Sequence, residues 1–437
     1  MASEGLKMYE LMEKLFPICR SITGEGVRET LRDIQEHIPL EVKEVPSGTE
    51  VFDWTIPREW NINDAYVKND QGEKIIDFQQ NNLHVMGYSV PVDKRVTREE
   101  LEEHLYSLPD QPNAIPYVTS YYKERWGFCI RHGDRTKLTD REYYVKIDSS
   151  LENGSLTYGE LIIPGEQREE VFLSTYICHP SMANNELSGP VLLSHLVKWL
   201  RTKKRKYTYR IVFVPETIGA LTYLSRNLEE MKENIIAGFN ITCVGDDLEY
   251  SFLPSRYGNT LSDRVALKIM EDSDISFKKY SFLERGSDER QYCSPGIDLP
   301  IASIMRTKYW EYPEYHTSLD NLDFVSPNGL QGAFDIYKAC IELIEQNEKF
   351  MVNCLGEPQL GKRGLYPTIS KKGSANRVRD ILNVLTYADG TNDLIDISYI
   401  TGLPVSDVLD IVYDLYNKNL LIVKEREDIA SFDFQLN

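Results

Sequence analysis

The sequence predicts an α/β protein: a mixed sheet flanked by helices, carrying an inserted β-rich domain and a C-terminal winged helix-turn-helix. Three observations lead there. Short apolar runs, LTYGELIIPG, VFLSTYIC and YRIVFVPE, alternate with helical ones, SGPVLLSHLVKWLR and ALTYLSRNLEEMKEN. Buried strands alternating with helices mark a sheet covered on both faces. From about Pro46 to Tyr144 the texture changes to short β-like runs broken by turn signals, as in VKNDQGEKI and YSVPVDKRV, which reads as an inserted β domain. Beyond a Gly/Pro-containing linker, LGEPQLGKRGLYPTISKKGS, the order helix, ISYITGLP, VSDVLDIVYDLYNKN, LLIVKE fits a winged helix.

The expected division is therefore a discontinuous α/β domain of residues 1–45 and 145–352, an inserted domain of residues 46–144, and a winged-helix domain of residues 374–437. Two amphipathic helices open the chain. Met8, Leu11, Met12, Leu15 and Phe16 recur at helical spacing, and Val27, Leu31, Ile34 and Ile38 repeat the signal after the TGEG break. The inserted block is rich in aromatics, with PREW, IPYVTSYY and RWGFC close together. Such residues line ligand grooves in some proteins and fill cores in more, and the core reading is preferred.

Composition narrows the class of function. With 41% hydrophobic and 27% charged residues the chain has the balance of a folded protein. A formal net charge of -19 repels phosphate backbones and acidic lipid surfaces, so neither nucleic acid nor a membrane is expected as partner. The charges scattered through MASEGLKMYELMEKLF interrupt any secretory apolar core, and no stretch reaches bilayer-spanning length, so a cytoplasmic location is expected. The seven cysteines form no C-x-x-C pair and read as reduced thiols. Cys178 ends an apolar run, which favours a buried structural thiol over a nucleophile.

The candidate chemistry lies at the carboxyl ends of the predicted strands, where open α/β sheets place their ligands. VFLSTYIC runs directly into His179, followed by PSMANNELSG and a helix. YRIVFVPE delivers Glu216 to a strand end, where a carboxylate has no folding reason to stand. His316 follows a proline-containing turn in EYPEYHTSLDNLD, with Asp320 and Asp323 placed to orient its imidazole. Two histidines and a carboxylate suit a divalent ion, and Glu216 suits a general base. His84, His104, His132 and His195 lie outside this pattern.

Taken in order, His179, the ELSG turn, Glu216 before IG, GSDERQY and YHTSLDNLD resemble the zinc aminopeptidase superfamily that includes bacterial leucyl aminopeptidases and glutaminyl cyclases. The whole layout resembles a bacterial family of aminopeptidase-like proteins with an inserted β domain and a C-terminal winged helix. The resemblance implies a zinc-exopeptidase-like sheet. It makes His179 and His316 metal ligands, Glu216 the general base, and Asp288 of GSDERQY an acid that either faces the substrate or stands behind the groups that do. It also exposes departures. Asn185 stands where the bridging Asp is expected, Thr217 where a second Glu is, and Asn240-Ile241-Thr242-Cys243-Val244-Gly245 where a further metal-binding Asp is. Glu186 and Asp246 lie close by. The expected site is thus one zinc held by His179, Glu186 and His316, with two metals left open. Glu186 has an alternative role as a helix cap. Asp246, Asp288 and Arg290 are expected at the substrate, although a surface salt bridge is the commoner role for an arginine in Arg290's place.

Three readings compete. The first is a metallo-aminopeptidase or related amide hydrolase acting on a peptide or small molecule. The second is a scaffold that kept the fold while its metal site decayed, and the third a lone-zinc acyltransferase similar to glutaminyl cyclase. Glu216 favours chemistry. The winged helix carries Asp407, Asp410 and Asp414 on its candidate recognition helix, which points to protein contact or homo-oligomerisation in place of DNA.

Overall fold

The protein is described by a computed structural model covering residues 3–365 and 374–424. Its centre is an eight-stranded mixed sheet. The strand order is Glu41–Pro46, Ser155–Ile163, Thr208–Val214, Glu170–Tyr176, Ile235–Asn240, Ile301–Met305, Tyr250–Leu253, Phe277–Lys279. Thr208–Val214, Glu170–Tyr176, Ile235–Asn240 and Ile301–Met305 run parallel to one another, so their carboxyl ends open on one edge. These strands are buried almost without interruption, which is why they read as unbroken apolar runs. Helices Ser188–Leu200 and Ile218–Asn234 follow two of them.

The opening helices form as the spacing predicts. Glu4–Leu15 buries Met8, Leu11, Met12 and Leu15 and is capped by the Ser3 side chain, which accepts from Leu6 N–H. Glu25–Gln35 buries Val27, Leu31 and Ile34. In the inserted block, Lys74–Asp77, Glu59–Lys68, Glu142–Glu152 and Val92–Thr97 make a four-stranded antiparallel sheet. One apolar cluster runs from Trp60, Val67 and Val145 in this sheet to Phe172, Val212 and Tyr223 in the central domain. Residues Met1–Ala266 and Ser276–Ala339 accordingly form a single compact unit.

Leu267–Ile275 and the described residues from Cys340 onward form a second unit. Its three-stranded sheet takes its central strand, Lys349–Val352, from ahead of residue 374, and pairs it with Asp389–Asp393 and Leu421–Val423. Helices Ser374–Tyr387, Leu394–Thr401 and Val405–Asn417 pack over a core that includes Phe350, Val384, Leu394, Val408 and Leu415. A capping box between Asp393 and Asp396 starts the second helix, and Gly402, at φ 70°, ends it in the left-handed conformation. This is the winged helix. Residues 366–373 of the expected linker and residues 425–437 of the expected winged domain lie outside the described residues.

One glycine sets how closely the helix Ser188–Leu200 meets the sheet. A Cβ on Gly189 would stand 2.3 Å from Thr175 Oγ1 and 2.4 Å from the carbonyl oxygen of Ile241. Backbone cannot give way at that distance. Gly189→Ala is expected to cost about 1–3 kcal/mol or more by forcing the helix away from the sheet, read as a lowered urea midpoint. An unchanged midpoint would mean that the contact is softer than the geometry implies.

Candidate active site

Parallel strands ending on one edge bring the ANNELSG, PETIG and YHTSLDNLD segments together. His179 stands three residues beyond Tyr176, and Glu216 two beyond Val214. Four residues at this edge, Ser181, Thr217, Cys243 and His316, have positive φ without being glycine. Backbone strain of this kind is retained where surrounding contacts over-determine it, often at functional sites.

His179 is buried, and its two ring nitrogens face different partners. Nδ1 is 2.9 Å from Glu186 Oε2, and Nε2 is 3.8 Å from Glu216 Oε2. Burial opposes charging the ring, but the hydrogen bond and charge of Glu186 lift its pKa above the ordinary value. Glu186 is itself backed by Arg20. That guanidinium lies 3.4 Å from Oε1, with both side chains fully buried, and it donates to the carbonyl oxygens of His179 and Leu15. Glu186 sits within a π-helical turn, Ala183–Leu187, a form that recurs at functional sites. Asp320 fastens that turn by accepting the N–H groups of Asn184, at 2.6 Å, and Asn185, at 2.9 Å. Burial raises the Asp320 pKa to about 6.

One expectation is corrected here. The acids after His316 do not orient its ring: Asp320 serves the Ala183–Leu187 turn and Asp323 is exposed. The ring instead meets Asn185, Nε2 to Oδ1 at 3.2 Å, and stacks on Tyr315 at 3.9 Å. Burial, with the charge of His179, pushes its pKa down to about 3. Glu186, expected beside both histidines on a metal, stands at His179 Nδ1, where the turn aims its carboxylate. The group Cys178, His179 and Glu186 does bring three ligand-type atoms together. The Arg20 cation at the same carboxylate disfavours a second positive charge there.

His179, His316, Glu216, Thr217 and Arg290 line one cleft of about 380 Å³, together with Ile22, Cys178, Ile218, Trp54, Tyr117, Thr119, Tyr121 and Tyr122. The Tyr117 ring lies 5.3 Å from His179 and 5.2 Å from His316, and its hydroxyl pairs with that of Tyr121 at 2.8 Å. The inserted block's aromatics are thus divided: Trp60, Tyr88 and Phe128 fill the core, whereas Tyr117, Tyr121, Tyr122 and Trp54 wall the cleft. That role and the part of Arg20 were missed from the sequence. IPYVTSYY held the signal for the first, and nothing local in PICRSITG signalled the second.

Burial raises the pKa of Glu216, partly offset by the charges of His179 and Arg290, a shift in the direction that strengthens a carboxylate as a proton acceptor. Cys178 accepts the Glu216 N–H, and burial drives its pKa well up, so the thiol is structural. The acids expected at the substrate do not line the cleft. Asp246 is buried, accepting from Thr307 N–H and Oγ1, Asn184 Nδ2 and Leu248 N–H. Asp288 is fully buried behind Thr217, whose N–H it accepts at 2.7 Å, and burial, with the nearby Glu216 charge, raises its pKa well above the usual range. At the positions where carboxylates are missing, Tyr176 hydroxyl joins Asn185 and Thr242 in a neutral network.

Comparison with known proteins identifies the family and the fold. The family model described as "Domain of unknown function (DUF4910)" matches residues 9–347, and a "winged helix-turn-helix" model matches residues 349–423. A Clostridium acetobutylicum protein described as a "Putative polysaccharide biosynthesis protein with aminopeptidase-like domain" is 48% identical over 421 residues, 95% of this chain and 96% of that one. The crystal structure of a "putative peptidase" from the same organism superposes with a TM-score of 0.91 at 46% identity, covering 96% of each chain. BSAP, a zinc aminopeptidase from Bacillus subtilis, shares the fold, with a TM-score of 0.58 at 12% identity over 78% of this chain and 95% of that one.

The Arg20–Glu186 pair gives a test of how the site is held. Removing one member of a buried ion pair costs about 3–5 kcal/mol, because the other is left charged without compensation. Arg20→Met should show that loss in urea unfolding, and Arg20→Met with Glu186→Gln should recover part of it. A single variant as stable as wild type would show that the pair does not hold the turn.

Proposed function

Because the chain belongs to the DUF4910 family and carries its aminopeptidase-like fold, we propose that it is a zinc-dependent hydrolase of an amide or peptide bond. The observation that carries this reading is the pairing of a carboxylate of raised pKa, Glu216, with His179 Nε2 at 3.8 Å on the wall of a cleft shared with His316. His179 and His316, with the Glu216 carboxylate beside them on the same cleft, are the donors that would hold one ion. His316 is neutral at physiological pH, with a nitrogen whose protein partner is a weak amide, and His179 has Nδ1 held by a carboxylate, the arrangement that orients metal-binding imidazoles and strengthens them as donors. Asn185, Tyr176 and Thr242 supply no charge for a second ion, which favours one zinc.

A zinc ion there would supply Lewis acidity, polarising the amide carbonyl and acidifying a water. Glu216 then accepts the proton of the attacking water and returns it to the leaving amine nitrogen as the C–N bond breaks, giving a carboxylic acid and an amine. Glu186 fixes the tilt of His179, and Tyr117, packed against both histidines, helps hold their rings in place. Because the C. acetobutylicum relative is described as a putative polysaccharide biosynthesis protein, we include amide-bearing sugars beside peptides among the substrates to be tried. Seven free cysteines suit a reducing, cytoplasmic setting, and no helix among the described residues is long and apolar enough to cross a membrane.

Glu216→Gln should keep fold and zinc while hydrolysis, screened on amino-acid amides with and without chelator, falls by about a hundredfold or more. Zinc lost together with activity would make Glu216 a ligand. A wild type inert across the panel, with or without metal, would favour the scaffold reading.

The winged helix is proposed to contact protein, not DNA. Asp407, Asp410 and Asp414 are exposed on the helix Val405–Asn417 beside exposed Tyr413 and Tyr416, and residues from Ser374 onward hold five basic and eleven acidic side chains, a balance of -6. The full chain should show no micromolar, salt-sensitive binding to a DNA duplex, and such binding would overturn the assignment.

A further inference from the structure

We infer that Arg290 selects substrates bearing a carboxylate a short distance from the scissile amide, an inference that rests on the hydrolase reading and names its substrate class. The commonplace role for this arginine is an ion pair, and it makes none. Among the described residues no carboxylate lies within 4.0 Å of its side-chain nitrogens, and the guanidinium's one hydrogen bond runs from Nη2 to Thr217 Oγ1 at 2.5 Å. Nε is shut off from solvent without a partner. The Arg290 charge reaches Asp288 and Glu216, but the acids adjoining it in sequence make their hydrogen bonds elsewhere. Glu289 accepts from Gly286 N–H, Ser287 N–H, Asn240 Nδ2 and Tyr309 hydroxyl, and Asp288 is turned to Thr217 N–H.

A half-buried guanidinium with no carboxylate of its own, standing on the wall of a cleft, is matched by an incoming carboxylate at its terminal nitrogens. The rest of the cleft points the same way. Enzymes that take a free amino terminus need anionic groups to hold it, yet Glu216 is the one acid lining this cleft, and Arg290 stands where a cation repels an ammonium. Because Arg290, His179, Glu216 and His316 line the same 380 Å³, one small molecule can place its amide at the histidines and its carboxylate at Arg290. The aromatic wall of Trp54, Tyr117, Tyr121 and Tyr122 covers the remainder.

The test compares N-acetylglycine with its neutral counterpart N-acetylglycinamide, by calorimetry on the full chain and on Arg290→Gln and Arg290→Lys, with circular dichroism as the check on folding. Wild type should bind the carboxylate about tenfold or more tightly than the amide, the scale of one charge-assisted hydrogen-bonding contact. Arg290→Gln should lose that preference, and Arg290→Lys should keep only part of it, since a point charge lacks the guanidinium's geometry. A folded Arg290→Gln that keeps the preference, or a wild type that has none, overturns the assignment. A parallel assay with amide substrates in matched carboxylate and carboxamide forms should show the preference mainly in KM. Binding preference without turnover would sink the hydrolase reading and leave the carboxylate site standing. Turnover without preference would do the reverse.

Discussion

The site depends on one buried contact, the 2.9 Å bond between Glu186 and His179 Nδ1. It decides which way the imidazole faces. With Nδ1 held from behind, Nε2 has only the cleft to turn toward, where Glu216 waits. A carboxylate with no exposed surface is expensive to keep charged, and Arg20 is what makes it tolerable. The first helices are thereby tied to the chemistry, because Arg20 lies between them and also grips the backbone of His179. The Ala183–Leu187 turn that carries Glu186 is in turn held by Asp320 from the segment that carries His316. Each histidine is thus positioned partly by the other's loop.

The same edge shows a consistent shift in charge. Where the resemblance calls for carboxylates there are Asn185, Thr217 and Thr242, and the structure joins Asn185 and Thr242 to Tyr176 in a neutral network. Thr217 takes a strained backbone at φ 63° and is caught between Asp288 and Arg290. Few acids and the Arg290 cation are what the proposals of a single metal and an anionic substrate rest on.

What the sequence revealed followed from signals that are local and periodic. Unbroken apolar runs identified the parallel strands, and a charged residue at the end of such a run, His179 or Glu216, stood out because nothing in folding calls for it there. The winged helix was legible from its order of elements, apart from Lys349–Val352, whose four residues acquire meaning only through pairing with strands far along the chain. Direction and distance were not legible. Glu186 lies seven residues from His179 whether it grips a metal or the back of the ring, and only the π-helical turn decides. Asp246 and Asp288 stand beside the right motifs, but their side chains turn into the protein. Tyr117 and Trp60 belong to similar aromatic runs, and one walls the cleft while the other is core.

The central claim is that His179, fixed from behind by Glu186, and His316 together hold one zinc ion. The most direct measurement is an anomalous difference map, collected at the zinc edge from crystals of zinc-loaded protein, with metal content determined on the same sample. The account predicts about one zinc per chain, at His179 Nε2 and His316, with Glu186 still on Nδ1. An ion among Cys178, His179 Nδ1 and Glu186, two well-occupied ions, or none at all would contradict it.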